Sequence, residues 1–462
     1  MNKREGRLSI GEKLCFTGIF FGNNVASQLL LYFAMFFFTD VAHINPAVAG
    51  LIFLLNKIWD AVNDPMAGVL IDKTQSSKGK ARPWLLYTAI PTMIFLVLTF
   101  STPNFSDTGR VIWCAVSYVG ISMCMTLTVI SSYTLMARVS HDDDERMTIS
   151  VFGNVGGALA GVATSAACMP LVNLLGKGNM AAGFRYMSIV FAVIVGALLI
   201  LCTSRLKELP ATEEDRVKAH ETKVGDLLRS AIRNDQFILF AGLLLFSGTA
   251  MGMYSGSLMY YLKYNLGRPE LSSYATPILM ACMFIGMLLV KPISKKVEPK
   301  KLFIIAELMG ATAMLVRFIT RDAYIPVLFA MFALMGLSAA FLNVLIQPMI
   351  MDTMKYGELK TGVKTEGLLM SGASFMNKMG AGIGGGLLGA FLAGNGYVAN
   401  AASQTPEALH AIFLAQIIFF MVAQALIAVI MLGGYKLNRK KMAEINQQLN
   451  EKAPTATSGE AI

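Results

Sequence analysis

The stretch Asn56-Lys57-Ile58-Trp59-Asp60-Ala61-Val62-Asn63-Asp64-Pro65-Met66-Ala67-Gly68 decides how the rest of the chain is read. Lys57, Asp60 and Asp64 are spaced i, i+3, i+7, which places all three on one face of a helix. The flanks, 46–55 and 65–71, are apolar. The charged face therefore has two settings: a water-washed surface, or the interior of a membrane bundle. The remaining sequence chooses between them.

Composition chooses the membrane. Of 462 residues, 55% are hydrophobic and 15% charged, against roughly 25% charged in soluble domains. Apolar runs lie near 14–40, 46–71, 84–102, 110–137, 149–174 and 184–204, then near 236–264, 271–292, 302–320, 323–351, 366–394 and 410–435. Most approach or exceed the length of about 20 residues that crosses a hydrocarbon core. The expected fold is an all-α membrane protein of twelve transmembrane helices in two six-helix, pseudo-symmetric bundles. The first bundle spans 1–204 and the second 236–435. A charged cytoplasmic linker (205–235) joins them, and a polar cytoplasmic tail (436–462) follows. A layout of six, linker and six implies a substrate path between paired halves.

The net charge of +10 does not mark a nucleic-acid binder, because no aromatic-interleaved basic patch accompanies it. With the N-terminus inside, 30 of the 39 Lys and Arg fall in cytoplasmic loops and tails. The clusters Lys73/Lys78/Lys80/Arg82, Lys291/Lys295/Lys296/Lys300/Lys301 and Lys436/Arg439/Lys440/Lys441 are all internal. This asymmetry orients both termini to the cytoplasm. The first apolar run is too long for a cleaved leader and reads as a retained helix. A multi-pass protein of a bacterial-type inner membrane is expected, with the lipid bilayer as its surroundings and one chain as the working unit.

Several signals are set aside. Cys15, Cys114, Cys124, Cys168, Cys202 and Cys282 are scattered through apolar segments as packing residues. His43, His141, His220 and His410 form no metal-ligand pair. Gly380-Ala-Gly-Ile-Gly-Gly385 matches G-x-G-x-x-G, but no strand precedes it, so it reads as close helix packing. No phosphate-binding loop occurs, and no nucleophile, base or metal set supports an enzyme. No cofactor is expected.

What remains is buried charge. Two carboxylates on one face of a membrane helix must line a cavity or bind something positive. They can ligate a small cation such as Na+, or share a proton because like charges oppose joint ionisation. Lys57 is either a structural partner of Asp60 or part of the site. Pro65 and Gly68 permit a bend beside it. Lys378, about twelve residues into its own apolar run, needs a counter-ion, and Asp60 and Asp64 are the evident candidates. There it can compete with a cation or hold an anionic or hydroxyl-rich substrate. Uncharged polar residues extend the picture: Asn24, Gln28 and Tyr32 every four residues on the first helix, Thr126, Thr128, Ser131, Ser132 and Tyr133 on the fourth, Asn154 on the fifth, and Asn343 with Gln347 on the tenth. Neutral donors and acceptors beside aromatic platforms suit a sugar. Each one alone also suits a helix–helix hydrogen bond.

The stretch 57–68, followed by Asp72–Trp84 (DKTQSSKGKARPW), resembles the signature of the glycoside–pentoside–hexuronide:cation symporters of the major facilitator superfamily. Asp352–Gly367 (DTMKYGELKTGVKTEG), leading into Lys378, is a second match, and the likeness covers nearly the whole chain. The resemblance implies a major facilitator fold and alternating access, with Na+ or H+ as coupling cation. Asp60 and Asp64 match the family's cation-binding carboxylates, Thr126 a further cation ligand, and Lys378 a lysine near both cation and sugar. Asp72, Lys73, Lys80 and Arg82 match a cytoplasmic gating loop, whose cations should pair with acids when the inside is shut. The sugar site departs from the family's α-galactoside carriers. Asn24 and Val129 stand where those have aspartates, Asn154 where they have arginine, and Tyr133 where they have tryptophan. Substrate contacts are therefore expected at Asn24, Gln28, Tyr32, Tyr133, Asn154 and Lys378, with an acidic sugar as one option. The expected function is secondary active symport of a sugar or glycoside with a cation. An uncoupled sugar facilitator and a non-transporting sugar sensor are the alternatives.

Overall fold

The computed structural model describes residues 8–74, 76, 79–140, 143–208, 233–361, 366–399 and 401–452. Most of the expected linker, the tail beyond 452, residues 362–365 of the second signature, Lys78 and the side chain of Asp72 lie outside the described residues.

The described chain is helical throughout. Helices α1 (Ile10–Phe36), α2 (Pro46–Lys73), α3 (Arg82–Thr99), α4 (Asp107–Arg138), α5 (Asp143–Gly176) and α6 (Met180–Arg205) come first. Then follow α7 (Asp235–Tyr260), α8 (Ser272–Lys296), α9 (Pro299–Thr320), α10 (Ile325–Thr361), α11 (Glu366–Gly394) and α12 (Pro406–Gly434), with a short α13 (Arg439–Lys452) packed on α10. Local chemistry sets the starts. Ser9 and Glu12 form a reciprocal capping box on α1. Asn45, Ser106, Asn179, Asn234 and Thr405 each accept an early backbone N–H, caps typically worth about 1 kcal/mol each.

Ten of these helices are long and apolar enough to cross a membrane. The exceptions among the twelve are α2 and α11, of 28 and 29 residues, which carry the mid-helix charges and a glycine run. The outward surface is apolar at positions such as Leu201, Leu288, Ile319, Val429 and Leu432. That is the reverse of what water would select, and it is what lipid tails accept.

Among the described residues, the broadest contacts between the first six helices and the last six are α2 with α11, α5 with α8, and α1 with α7. The glycine run explains the first. A Cβ on Gly50 would sit 3.0 Å from the carbonyl oxygens of Gly385 and Gly386, and one on Gly389 would sit 2.3 Å from that of Pro46. Backbones touch there because no side chain intervenes. The G-x-G-x-x-G match is thus part of a packing surface.

The two ends of the bundle differ. At the end remote from Ile10, α1 and α7 each finish in a π-helical turn, Phe37–Val41 and Tyr261–Asn265. These turns meet. Lys263 Nζ lies 2.8 Å from Asp40 Oδ1, and the hydroxyls of Tyr264 and Tyr397 also donate to Asp40. Tyr260 and Thr39 share a 2.6 Å hydrogen bond. The Asp40 side chain is 0% exposed, and Phe36, Phe37, Phe100 and Phe184 pack around this end. Towards the other end, Tyr133, Asn154, Asn343, Gln347 and Asn377 are exposed although they lie within long apolar helices. Amides on such helices are costly against lipid, so this face borders an aqueous vestibule. The latch closes the end of the bundle remote from Ile10, and exposed amides lie towards the other end.

Candidate functional site

A cavity of about 300 Å³ lies between α1, α2 and α4 on one side and α7 and α11 on the other. Its charged lining is Lys57, Asp60, Asp64 and Lys378, with Ser122 and Thr126 beside them.

Two helices supply four oxygens in register. Asp60 and Asp64 are one turn apart on α2, and Ser122 and Thr126 are one turn apart on α4. Ser122 Oγ donates to Asp60 Oδ1 at 2.5 Å, and Thr126 Oγ1 donates to Asp64 Oδ1 at 3.1 Å. The arrangement is a ladder of two rungs. Each carboxylate gives its second oxygen to an ammonium: Lys57 Nζ lies 2.8 Å from Asp60 Oδ2, and Lys378 Nζ donates to Asp64 Oδ2. Asn56 Nδ2 donates to Ser122 Oγ at 3.1 Å, which fixes the serine oxygen against the lower rung. Asp60 is 4% exposed, so its charge rests on these partners. The Lys378–Asp64 pair is more open, at 43% and 29% of its side chains.

Asp60, Asp64 and Lys378 thus come together, as the spacing on α2 and the apolar setting of Lys378 predict, and Thr126, which the resemblance implies, joins them. Lys57 pairs directly with Asp60 on its own helix and also lines the cavity. Asn56 and Ser122 escaped the sequence reading. Serine is too common on membrane helices to stand out, yet Ser122 lies four residues before Thr126, just as Asp60 lies four before Asp64.

Of the expected sugar contacts, only Lys378 lines the charged cavity. Asn24, Gln28, Tyr32, Tyr133 and Asn154 do not line the charged cavity. Asn24 donates to the carbonyl of Phe20 at 2.9 Å and faces Gly157 of α5, while Gln28 faces Gly161 one turn on. Tyr32 is buried, and its hydroxyl and Gln28 Oε1 have no hydrogen-bond partner among the described residues. Tyr133 packs edge-on to Phe20 with ring centroids 5.2 Å apart. Tyr133 and Asn154 are exposed.

Among the described residues, the expected gating loop is held chiefly through its backbone. Glu208, just after α6, accepts from the amides of Lys80 and Ala81 at 3.0 Å each and of Arg82 at 3.4 Å. Its ion-pair partner is Arg138 of α4, at 2.8 Å. Gly79 has φ +100°, and a Cβ there would lie 2.2 Å from the Glu208 carboxylate. The Arg82 guanidinium donates to the carbonyl of Ser204 at 3.3 Å, and Lys73 is exposed.

Paired carboxylates and hydroxyls offer the hard oxygen donors that small cations take. Ammonium groups already on the same carboxylates show where positive charge is held. A family model described as MFS/sugar transport protein matches residues 16–439. The chain is 29% identical to the isoprimeverose transporter of Lactiplantibacillus pentosus, over 93% of its own length and 89% of that protein's. It is 28% identical to the inner membrane symporter YicJ of Escherichia coli (strain K12), over 96% and 95%. A solved D-xylose–proton symporter shares its fold at 14% identity, with a TM-score of 0.65 over 92% of this chain and 97% of that one. A signature in each set of six helices, the oxygen ladder on α2 and α4 and a family match along nearly the whole chain agree: the protein is a carrier of the MFS/sugar transport protein family, within its glycoside–pentoside–hexuronide:cation symporters.

Proposed function

We infer that the chain carries a sugar or glycoside across a bacterial inner membrane together with a cation, by alternating access of twelve helices arranged six and six. The observation that carries this reading is the Lys378–Asp64 contact. It joins α11 to a carboxylate whose other oxygen belongs to the cation ladder. Occupation of the ladder therefore bears directly on how the two sets of helices meet, and coupling is such a shared preference between two ligands. Asp60, Asp64, Ser122 and Thr126 are the proposed cation ligands, and sodium is the proposed ion. A proton needs one acceptor, whereas four oxygens in register suit a metal cation. The substrate occupies the vestibule beside Lys378, with Tyr133 and Asn154 on the facing wall.

Both termini are placed in the cytoplasm, following the Lys and Arg distribution. The vestibule then opens inward, and the Asp40 latch closes the outer side. The loop held by Glu208 is the proposed inner gate. A single chain contains the whole path, so a monomer suffices.

The test is uptake into proteoliposomes across a panel of sugars and glycosides, under imposed sodium or proton gradients. Accumulation driven by sodium and lost in Asp60→Asn and Asp64→Asn is expected. Unchanged accumulation in both variants overturns the cation site. Counterflow without any cation-driven accumulation assigns an uncoupled facilitator instead, and ligand binding without flux a sensor.

A further inference from the structure

At the latched end, a recess of about 360 Å³ lies between the turn that follows Asp40 and the start of α4. Its polar lining is His43, Thr102, Asn104 and Arg110, and no carboxylate lines it among the described residues. Arg110 is fixed on two sides. Its Nη1 donates to the carbonyl of Ala42 at 3.2 Å, and its Nη2 donates to Asp107, whose side chain is 93% exposed. A pair with so exposed a carboxylate is weak and leaves most of the arginine's attraction for another anion. Arg110 Nε is buried and has no hydrogen-bond partner among the described residues. A guanidinium donor held away from water without an acceptor is costly.

The recess lies at the border of the apolar span, since α3 ends at Thr99 and α4 starts at Asp107. Trp113 Nε1 donates to the carbonyls of Leu98 and Ser101 at 3.1 and 3.0 Å. Phe105 packs edge-on to Trp113 with ring centroids 5.7 Å apart. Aromatic rings with a polar tip mark the height of lipid headgroups. Further into the span, Ile112 and Val116 of α4 are 58% and 60% exposed, an apolar surface for acyl chains. We propose that the recess binds a phosphate oxyanion, either the phosphodiester of an anionic phospholipid or free phosphate. Arg110 Nε, the His43 imidazole, the Asn104 amide and the Thr102 hydroxyl are its donors. The exposed apolar surface beneath favours the lipid as the source. A zwitterionic headgroup is a poorer occupant, because it brings a second cation to a recess that already holds Arg110.

The probes are dioctanoyl-phosphatidylglycerol, dioctanoyl-phosphatidylcholine and inorganic phosphate. Each is titrated against the thermal stability of the purified full-length protein in a neutral detergent at constant ionic strength. Half-saturation by phosphatidylglycerol is expected at a concentration at least tenfold below that of phosphatidylcholine, and Arg110→Gln should raise it at least tenfold. Arg110→Gln also removes the Ala42 contact and can unsettle the fold. A double variant, His43→Gly with Asn104→Ala, avoids this, since His43 has φ +56° and glycine accepts that backbone. It too should raise half-saturation at least tenfold. Stabilisation by inorganic phosphate that is lost in the double variant, with no preference between the two lipids, assigns the site to the free anion. Equal responses to both lipids with none to phosphate overturn the site. So do responses that persist in the variants, and so does the absence of a response to all three probes.

Discussion

Lys378 on α11 donates to Asp64 on α2, joining residues 314 positions apart in sequence across the boundary between the first six helices and the last six. Asp64→Asn leaves that ammonium without its carboxylate. Because both side chains are partly exposed, the expected cost is on the order of 1–2 kcal/mol, below the 3–5 kcal/mol of a fully buried pair. Lys378→Gln should cost a similar amount. The double variant should lose less than the sum, since no orphaned charge remains. Thermal unfolding in detergent measures all three; strict additivity would show that the contact carries no coupling energy.

Ser122→Ala and Thr126→Ala each remove one rung of the ladder and keep every charge. Hydrogen bonds to charged groups contribute about 1.5–3 kcal/mol, so each variant should raise half-saturating sodium about tenfold or more. Sodium titration of thermal stability reads this directly. Unchanged sodium dependence in both variants assigns the hydroxyls to helix packing alone.

Asp40 is the acid on which Lys263, Tyr264 and Tyr397 converge at the latched end. Asp40→Asn should loosen that end. A cysteine at the cavity-lining Leu31 should then react several-fold faster with an impermeant thiol reagent added outside. Lys263→Met leaves a buried carboxylate with only hydroxyl donors, at a cost approaching 3 kcal/mol. Identical labelling rates with and without Asp40 would show that the latch does not gate access.

Glu307 on α9 is 1% exposed, and neither carboxyl oxygen has a hydrogen-bond partner among the described residues. It lies outside the cavity. Glu307→Gln keeps the shape and removes a group that is costly to ionise there. Uptake should persist, with stability unchanged or raised by about 1 kcal/mol. Loss of uptake in a folded Glu307→Gln variant would give this carboxyl a transport role.

Charge on an apolar background was the legible part of the sequence. Asp60, Asp64 and Lys378 stand out because membrane helices rarely carry such groups without partners, and their meeting follows from that scarcity. Asp40 did not stand out, because it ends an apolar run as an interfacial residue would. Its partners at 263, 264 and 397 share no spacing with it. Arg317 shows the same limit. It lies near the end of the apolar run 302–320 and its partner Asp322 beyond that run, yet the two are fully buried against each other. The stripe Asn24, Gln28, Tyr32 announced a polar helix face but not its direction. That face meets α5, and helix rotation about its own axis is set by the neighbours it packs on.

The cancelling charges of Lys57, Asp60, Asp64 and Lys378 bear on how the cell energises this carrier. An empty protein whose cavity is neutral can reset without moving charge, so the membrane voltage neither helps nor hinders the return. The loaded protein feels voltage only through its cargo. A cation with a neutral glycoside moves one charge, and each 100 mV then adds about 2.3 kcal/mol, nearly fiftyfold in accumulation. A cation with a monoanion moves none, and its uptake can rise only as far as the cation's own concentration ratio allows. The same four side chains therefore leave the choice between an electrical and a chemical driving force to the molecule that is carried.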